Sequence, residues 1–240
     1  MKISVVIIAH NEERHIDACI KSLLHQTRSP DEILLINHNS TDTTGALGRA
    51  YSEVRVIDYA GPAGPVFARI RGFEEAKGEH ILCIDGDSVA ASNWIETLSR
   101  LLDQGNVMVG SWIRMSGTMY AWLSSYYWYL LCPSKGHRAT DYLWGASTGV
   151  RGEKRGLIIK ALEKGEQLSR QLALAYNPDD YWLALFLEQE GGLEVTNRTW
   201  VKAYAKEKTN QEAFIRSLKA RKIRRTMQKL LQLSGLPTLS

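Results

Sequence analysis

The first hundred residues alternate between short apolar runs and segments in which apolar residues recur every three or four positions. Short continuous runs bounded by polar residues read as buried strands, and the 3.6-residue spacing reads as amphipathic helix. The run from Ile3 to Ala9 predicts a first strand, and Ile16, Cys19, Ile20, Leu23 and Leu24 predict a helix that Pro30 closes. A strand at Glu32 to Ile36, a helix at Thr44 to Tyr51 and a short strand at Val54 to Asp58 follow. Ala60 to Pro65 reads as loop, Val66 to Lys77 as helix, Ile81 to Ile84 as strand, Trp94 to Leu102 as helix and Val107 to Ile113 as strand. This rhythm predicts an α/β fold with a mostly parallel central sheet flanked by helices.

The second half is less regular. Met119 to Leu131 is aromatic but interrupted by serines and tyrosines. It reads as a core-packing helix, with a helix at a membrane interface as the rival. A strand is expected within Asp141 to Val150 and an amphipathic helix over Glu153 to Leu168. Asn177 to Leu187 sets Asp179 and Asp180 at the head of a helix that Gly191-Gly192 ends, and Leu193 to Thr196 resumes as a strand.

Candidate chemistry gathers where three strands stop. His10-Asn11-Glu12 follows the first, Asn37-His38-Asn39-Ser40-Thr41-Asp42 closes the second, and Asp85-Gly86-Asp87 closes the run Ile81-Leu82-Cys83-Ile84. Ligand crevices of open α/β sheets lie outside the carboxyl ends of the strands. Two carboxylates separated by one glycine in that place suit a hard cation such as Mg²⁺ or Mn²⁺, which can grip a diphosphate. The competing reading of Asp-Gly is an ordinary turn. Asp179-Asp180 also has two readings: a cap on free helix N–H groups, or a carboxylate that takes a proton from an attacking hydroxyl. No dinucleotide fingerprint and no Walker loop occurs.

In order and spacing over residues 1 to about 100, and more faintly to about 200, these clusters resemble family 2 of the inverting glycosyltransferases, which have the GT-A fold. The matching elements are His10-Asn11-Glu12, Asn37 to Asp42, Ala68-Arg69-Ile70, and Gly78-Glu79 leading into Asp85-Gly86-Asp87. The resemblance implies a single Rossmann-like GT-A domain over residues 1–200, with a nucleotide-sugar half at 1–115, an acceptor half at 116–200, and a basic helical tail at 201–240. It implies inverting transfer of a sugar from a nucleoside-diphosphate donor, UDP-sugar first, to a hydroxyl acceptor; the basic tail and the aromatic segment suggest a cell-surface polysaccharide or glycolipid intermediate as that acceptor. Nucleotide contacts are implied for Ala9, His10, Glu12, His38, Arg69, Asp85, Gly86 and Asp87. The Mn²⁺ or Mg²⁺ ion falls to Asp87, with Asp85 sharing it through water or bonding the donor ribose. Asp180, with Asp179 beside it, occupies the place of the general base.

The chain departs from that pattern at several positions. His10 stands for an aromatic residue, His38 for an acidic one and Ile70 for Asn, while Trp200 to Tyr204 holds no histidine to complete a metal site. A carboxylate only accepts from uracil N3–H, whereas an imidazole donates or accepts by tautomer. Uridine is the expected nucleoside, with guanosine and thymidine open. His15, His25 and His80 are expected at the surface. Two other classes stay in view. A sugar-phosphate nucleotidyltransferase would open with a Gly-rich loop and a Lys, which are absent here. A non-catalytic nucleotide-binding or membrane-associated scaffold is suggested by Asn37, His38 and Ile70, and opposed by Asp87 and Asp180. The absence of a Gln-x-x-Arg-Trp pattern argues against a processive synthase.

Composition adds limits. A chain of 240 residues, 44% apolar and 23% charged, fits one folded α/β domain and excludes a disordered chain. Cys19, Cys83 and Cys132 stand singly and are expected as buried reduced thiols. Lys2 runs straight into a strand and no apolar run reaches 18 residues, so neither a secretory signal nor a transmembrane helix is expected. The expected location is cytoplasmic, peripheral at the inner face of the membrane. Lys202 to Lys229 carries ten Lys or Arg against Glu207 and Glu212, in a chain of net charge +4. Phe214, Leu218, Ile223, Met227, Leu230 and Leu231 give it an apolar stripe. Together they read as a basic amphipathic helix on an anionic membrane or on the body. No nucleic-acid-binding module is recognisable in it, and no nucleic-acid partner is expected.

Overall fold

The computed structural model describes residues 1–116, 145–172, 174, 179–187, 190 and 192–204. The aromatic stretch Met119 to Leu131, Cys132 and the tail beyond Tyr204 lie outside the described residues.

The elements run β1 (Ile3–Ala9), α1 (Ile16–Leu24), β2 (Glu32–His38), α2 (Thr44–Arg49), β3 (Val54–Tyr59), α3 (Pro65–Glu75), β4 (His80–Asp85), β5 (Ser88–Ala90), α4 (Trp94–Asp103) and β6 (Met108–Ser116). After them come β7 (Ser147–Arg151), α5 (Arg155–Gln171), α6 (Asp179–Leu187) and β8 (Leu193–Tyr204). The described strands form one sheet in the order β3-β2-β1-β4-β7-β6-β8-β5. The first four in that order run parallel, β7 runs antiparallel to β4 and β6, β6 and β8 run parallel, and β5 is antiparallel to β8.

Every residue of β1 is buried, because helices cover both faces of the sheet. Val5, Ile7 and Leu35 point to the side of α1 and α4, against Ile20, Trp94 and Leu98. Val6, Ile8 and Ile36 point to the side of α3, α5 and α6, against Phe73, Leu162 and Leu183. Burial on both faces is why these strands read as unbroken apolar runs rather than as alternations.

The structure departs from the sequence expectation in several places. Ser88–Ala90 is an unanticipated edge strand, and β8 reaches Tyr204 instead of stopping at Thr196. Its pairing with β6 slips between Ser111 and Trp112, and the irregularity breaks the apolar pattern that would have revealed its length. The strand expected within Asp141 to Val150 is found at Ser147–Arg151, and Asp141 to Trp144 lie outside the described residues. His80, expected at the surface, is fully buried. It opens β4 at the centre of the sheet, paired with Ile3 on one side and Arg151 on the other. Cys19 and Cys83 are buried and free, as expected. Among the described residues no helix is long and apolar enough to cross a membrane.

Gly78 leads the chain into β4 under a tight constraint. A β-carbon there would lie 2.5 Å from the Ser4 nitrogen and 2.6 Å from the His80 carbonyl oxygen. Both neighbours are backbone, so relief would require β1 and β4 to move apart. Gly78→Ala is therefore expected to lower stability by ~1–3 kcal/mol. Thermal unfolding checks this, and an unchanged Tm would show that the strands tolerate the extra methyl.

Candidate active site

Because β2, β1 and β4 are adjacent and parallel, their carboxyl ends share one edge of the sheet. Ile8 pairs with Ile36 on one side and Asp85 on the other. A cleft of about 270 Å³ opens at that edge. Of the residues singled out in the sequence, Ala9, His10, Glu12, His38, Asp85, Gly86 and Asp87 line it. Asn39, Pro65 and Ala68 line it too. Asn39 and Ala68 lie within the matched elements without being given a contact, and Pro65 was read as loop; Pro65 and Ala68 belong to the head of α3, which only topology brings to the cleft.

The loops after β1 and β2 are tied to each other. Asn11 and Asn39 both take positive φ, 54° and 51°, a conformation that asparagine tolerates better than most residues. Asn11 Oδ1 accepts the Thr41 amide at 2.8 Å, and the Asn11 amide donates to Ser40 Oγ at 3.0 Å. The Glu12 amide donates to Thr44 Oγ1 at 2.7 Å, while the Glu13 amide donates to Asp42 Oδ2 at 3.1 Å. The run from Ser40 to Thr44 thus fixes the neighbouring loop that carries His10 and Glu12.

At the far end of the cleft His10 Nδ1 donates to the His38 carbonyl at 2.8 Å, which fixes the His10 ring and its tautomer. His38 is buried and stacks on Tyr59 with ring centres 5.3 Å apart. Asn39 Nδ2 donates to the Gly61 carbonyl at 2.9 Å and lies 3.1 Å from His38 Nε2, so that nitrogen is the acceptor of the pair. Burial pushes the His38 pKa below the usual histidine value, against an opposing hydrogen bond to the Pro62 backbone. His38 is therefore neutral near pH 7. Gly86 is held against β1: its amide donates to the Ile8 carbonyl at 2.8 Å, and a β-carbon would come within 2.9 Å of Ala9 Cβ.

Arg69 does not line the cleft; it lies 3% exposed behind it. Its Nε donates to Asp179 Oδ2 at 2.9 Å, Nη1 donates to the Gly145 carbonyl at 2.6 Å, and Nη2 stands 3.6 Å from Asp85 Oδ1. Asp179 Oδ1 accepts the Asp180 amide at 3.0 Å, and Asp180 Oδ1 accepts the Tyr181 amide at 2.8 Å. Helix α6 is seated by Trp182, whose ring covers Gly165 of α5 and whose Nε1 donates to Ser169 Oγ at 2.8 Å. One guanidinium, 110 residues before Asp179 in the chain, thus brings the acidic pair towards Asp85. Asp85 Oδ1 is sealed without a hydrogen-bond partner, while the side chain as a whole stays about a third exposed. Burial raises its pKa to about 7, with Arg69 pulling the other way and Asp87 adding to the rise. Asp180 is also raised, by burial first and by the Asp179 charge second.

His15, at the start of α1, bonds Glu12 Oε2 at 3.1 Å and stacks on Tyr204, whose amide donates to the Asp87 carbonyl at 3.1 Å. It is half-buried. Among the described residues no three His, Cys, Asp or Glu side chains gather as a metal cage.

Residues 4–163 match the model of glycosyl transferase family 2. Glycosyltransferase GlyG of Streptococcus pneumoniae serotype 4 is 32% identical over 116 residues, which cover 46% of this chain and 38% of that protein. The chain therefore spans well under half of that relative. Among solved structures, Staphylococcus aureus TarS 1–349 in complex with UDP superposes with a TM-score of 0.64 at 16% identity, covering 92% of this chain and 65% of that one. Glucosyl-3-phosphoglycerate synthase from Mycobacterium tuberculosis, in complex with Mn²⁺, UDP and phosphoglyceric acid, gives 0.62 at 20% identity, covering 92% and 78%. The fold is GT-A.

The raised Asp85 pKa has a consequence for stability. A carboxyl whose folded pKa lies above its unfolded value favours the folded state below about pH 4, and that contribution is lost as pH rises through about 7. Asp85→Asn is thus expected to raise Tm at pH 8, with the gap closing towards pH 4. Melting curves across that range check it, and a variant less stable at pH 8 would refute it.

Proposed function

We propose that this chain, which belongs to glycosyl transferase family 2, moves a sugar from a nucleoside diphosphate, UDP first, to a hydroxyl acceptor with inversion at the anomeric carbon. The observation that carries the reading is the charge of the cleft. Glu12, Asp85 and Asp87 line it and, among the described residues, no Lys or Arg does, so a diphosphate held against these walls calls for a cation as its partner. Asp87 and Asp85 suit that cation, because both carboxylates line the cleft. Mg²⁺ and Mn²⁺ accept one or two carboxylates completed by phosphate and water, which fits a place where no three-residue cage exists among the described residues. When bound, the ion supplies charge stabilisation to the leaving diphosphate.

The chain's own residues do the rest. His10 and His38 bound the end of the cleft where the nucleobase would sit, with the His10 ring held by the His38 carbonyl. His38, whose Nε2 accepts from Asn39, stands there without the negative charge of a carboxylate. Asp180 receives the acceptor's proton. Asp179 is less suited, because both of its oxygens are engaged and one faces a guanidinium. Burial and the neighbouring Asp179 charge raise the proton affinity of Asp180. A single displacement with one base inverts the configuration and needs no covalent intermediate.

Two variants test the reading. Asp87→Ala is expected to stay folded and to lose the Mn²⁺-dependent part of UDP binding by calorimetry; metal-dependent affinity retained in a folded variant would refute the assignment. Asp180→Asn is expected to keep UDP affinity while sugar transfer or donor cleavage slows by roughly 10² or more. Near-normal turnover in that variant would remove Asp180 from the chemistry.

A further inference from the structure

We propose that Arg69 is a positioning residue for transfer, a clamp that sets the place of the Asp180 carboxylate relative to the donor strand β4. The inference deepens the reading of the site as a sugar-nucleotide transferase and rests on it.

Three groups on three separate segments converge on this guanidinium: Asp85 at the end of β4, the Gly145 carbonyl leading into β7, and Asp179 at the head of α6. Asp179 passes the constraint on, since its second oxygen takes the amide of Asp180 itself. Arg69 is poorly placed to hold a donor phosphate. It is 3% exposed, it is absent from the cleft lining, and its Nε and Nη1 are engaged inside the protein.

A purely stabilising role is also a weak explanation. A buried ion pair replaced by well-packed apolar side chains is often neutral or stabilising, so stability alone does not call for Arg and Asp here. What Arg supplies is direction. Its planar fork presents several donors at fixed angles, and the single ammonium of Lys does not reproduce them. The chain also makes room for the fork, since a β-carbon at Gly145 would lie 2.6 Å from Nη2 and 3.1 Å from Cζ. Gly145→Ala is therefore a second way to displace the guanidinium that leaves the arginine itself intact.

The test uses the full chain with Arg69→Lys and, separately, Gly145→Ala. Calorimetry measures UDP affinity in the presence of Mn²⁺. Steady-state release of UDP from UDP-glucose and UDP-N-acetylglucosamine, with water as acceptor, gives kcat and KM at a temperature well below Tm. The expected result is a Kd and a donor KM within about twofold of the unaltered chain and a kcat at least tenfold lower in both variants. A KM raised tenfold with kcat retained would make Arg69 a donor ligand and overturn the proposal, as would unchanged kcat and KM. If Arg69→Lys fails to fold, Gly145→Ala decides alone. An unaltered chain that neither binds UDP nor releases it from these donors brings down the donor reading and the positioning role with it. Normal behaviour of both variants beside an active parent brings down only the positioning role.

Discussion

The site depends on one interaction, the buried ion pair between Arg69 of α3 and Asp179 of α6. Breaking such a pair by removing one partner leaves an uncompensated charge inside the protein, at a penalty of ~3–5 kcal/mol. The arrangement persists because the guanidinium also satisfies the Gly145 carbonyl and approaches Asp85. Burial works against the Arg69 charge, and the neighbouring carboxylates, Asp179 first, outweigh it. The sheet pairs β4 with β7, and the guanidinium adds a directional link from both to Asp179 at the head of α6.

The opposite wall is organised differently, by short polar bonds between two parallel strand ends. Asn11, Glu12 and Glu13 on one loop meet Ser40, Thr41, Asp42 and Thr44 on the other. The hydroxyl-rich run after β2 thus has a local structural reason that does not depend on a ligand. Its effect is to fix the loop bearing His10 and Glu12 beside His38. The end of the cleft that carries His10 and His38 is thus held in place by the chain's own hydrogen bonds.

The first half of the fold was legible in the sequence because strands buried on both faces write themselves as unbroken apolar runs and because Pro30 and Gly78 punctuate them. β1, β2, β4 and α4 fall within a few residues of the expected positions. β5 and the second half of β8 escaped. Three residues are too few to show a pattern, and the slip between Ser111 and Trp112 interrupts the alternation of the partner strand. Cleft residues at the ends of β1, β2 and β4 were legible because chain order and parallel pairing place them. The role of Arg69 was not, because a helical arginine next to Ala68 gives no sign of a partner 110 residues away. The fully buried His80 was hidden for the same reason, since a polar residue opening a strand reads as surface unless its neighbours in the sheet are known.

Asp179 and Asp180 show why the pair could not be resolved from sequence. As adjacent aspartates at a helix head they have the same intrinsic acidity and the same capping potential. The structure separates them by direction. Asp179 turns inward to Arg69 and caps the Asp180 amide, so its charge is neutralised in place. Asp180 lies outside that salt bridge but within its field, and burial together with the Asp179 charge raises its affinity for a proton. Adjacent carboxylates held in such different surroundings are no longer equivalent. The guanidinium that engages Asp179 leaves Asp180 as the carboxylate outside the ion pair, and the proposal of Asp180 as base rests on that difference.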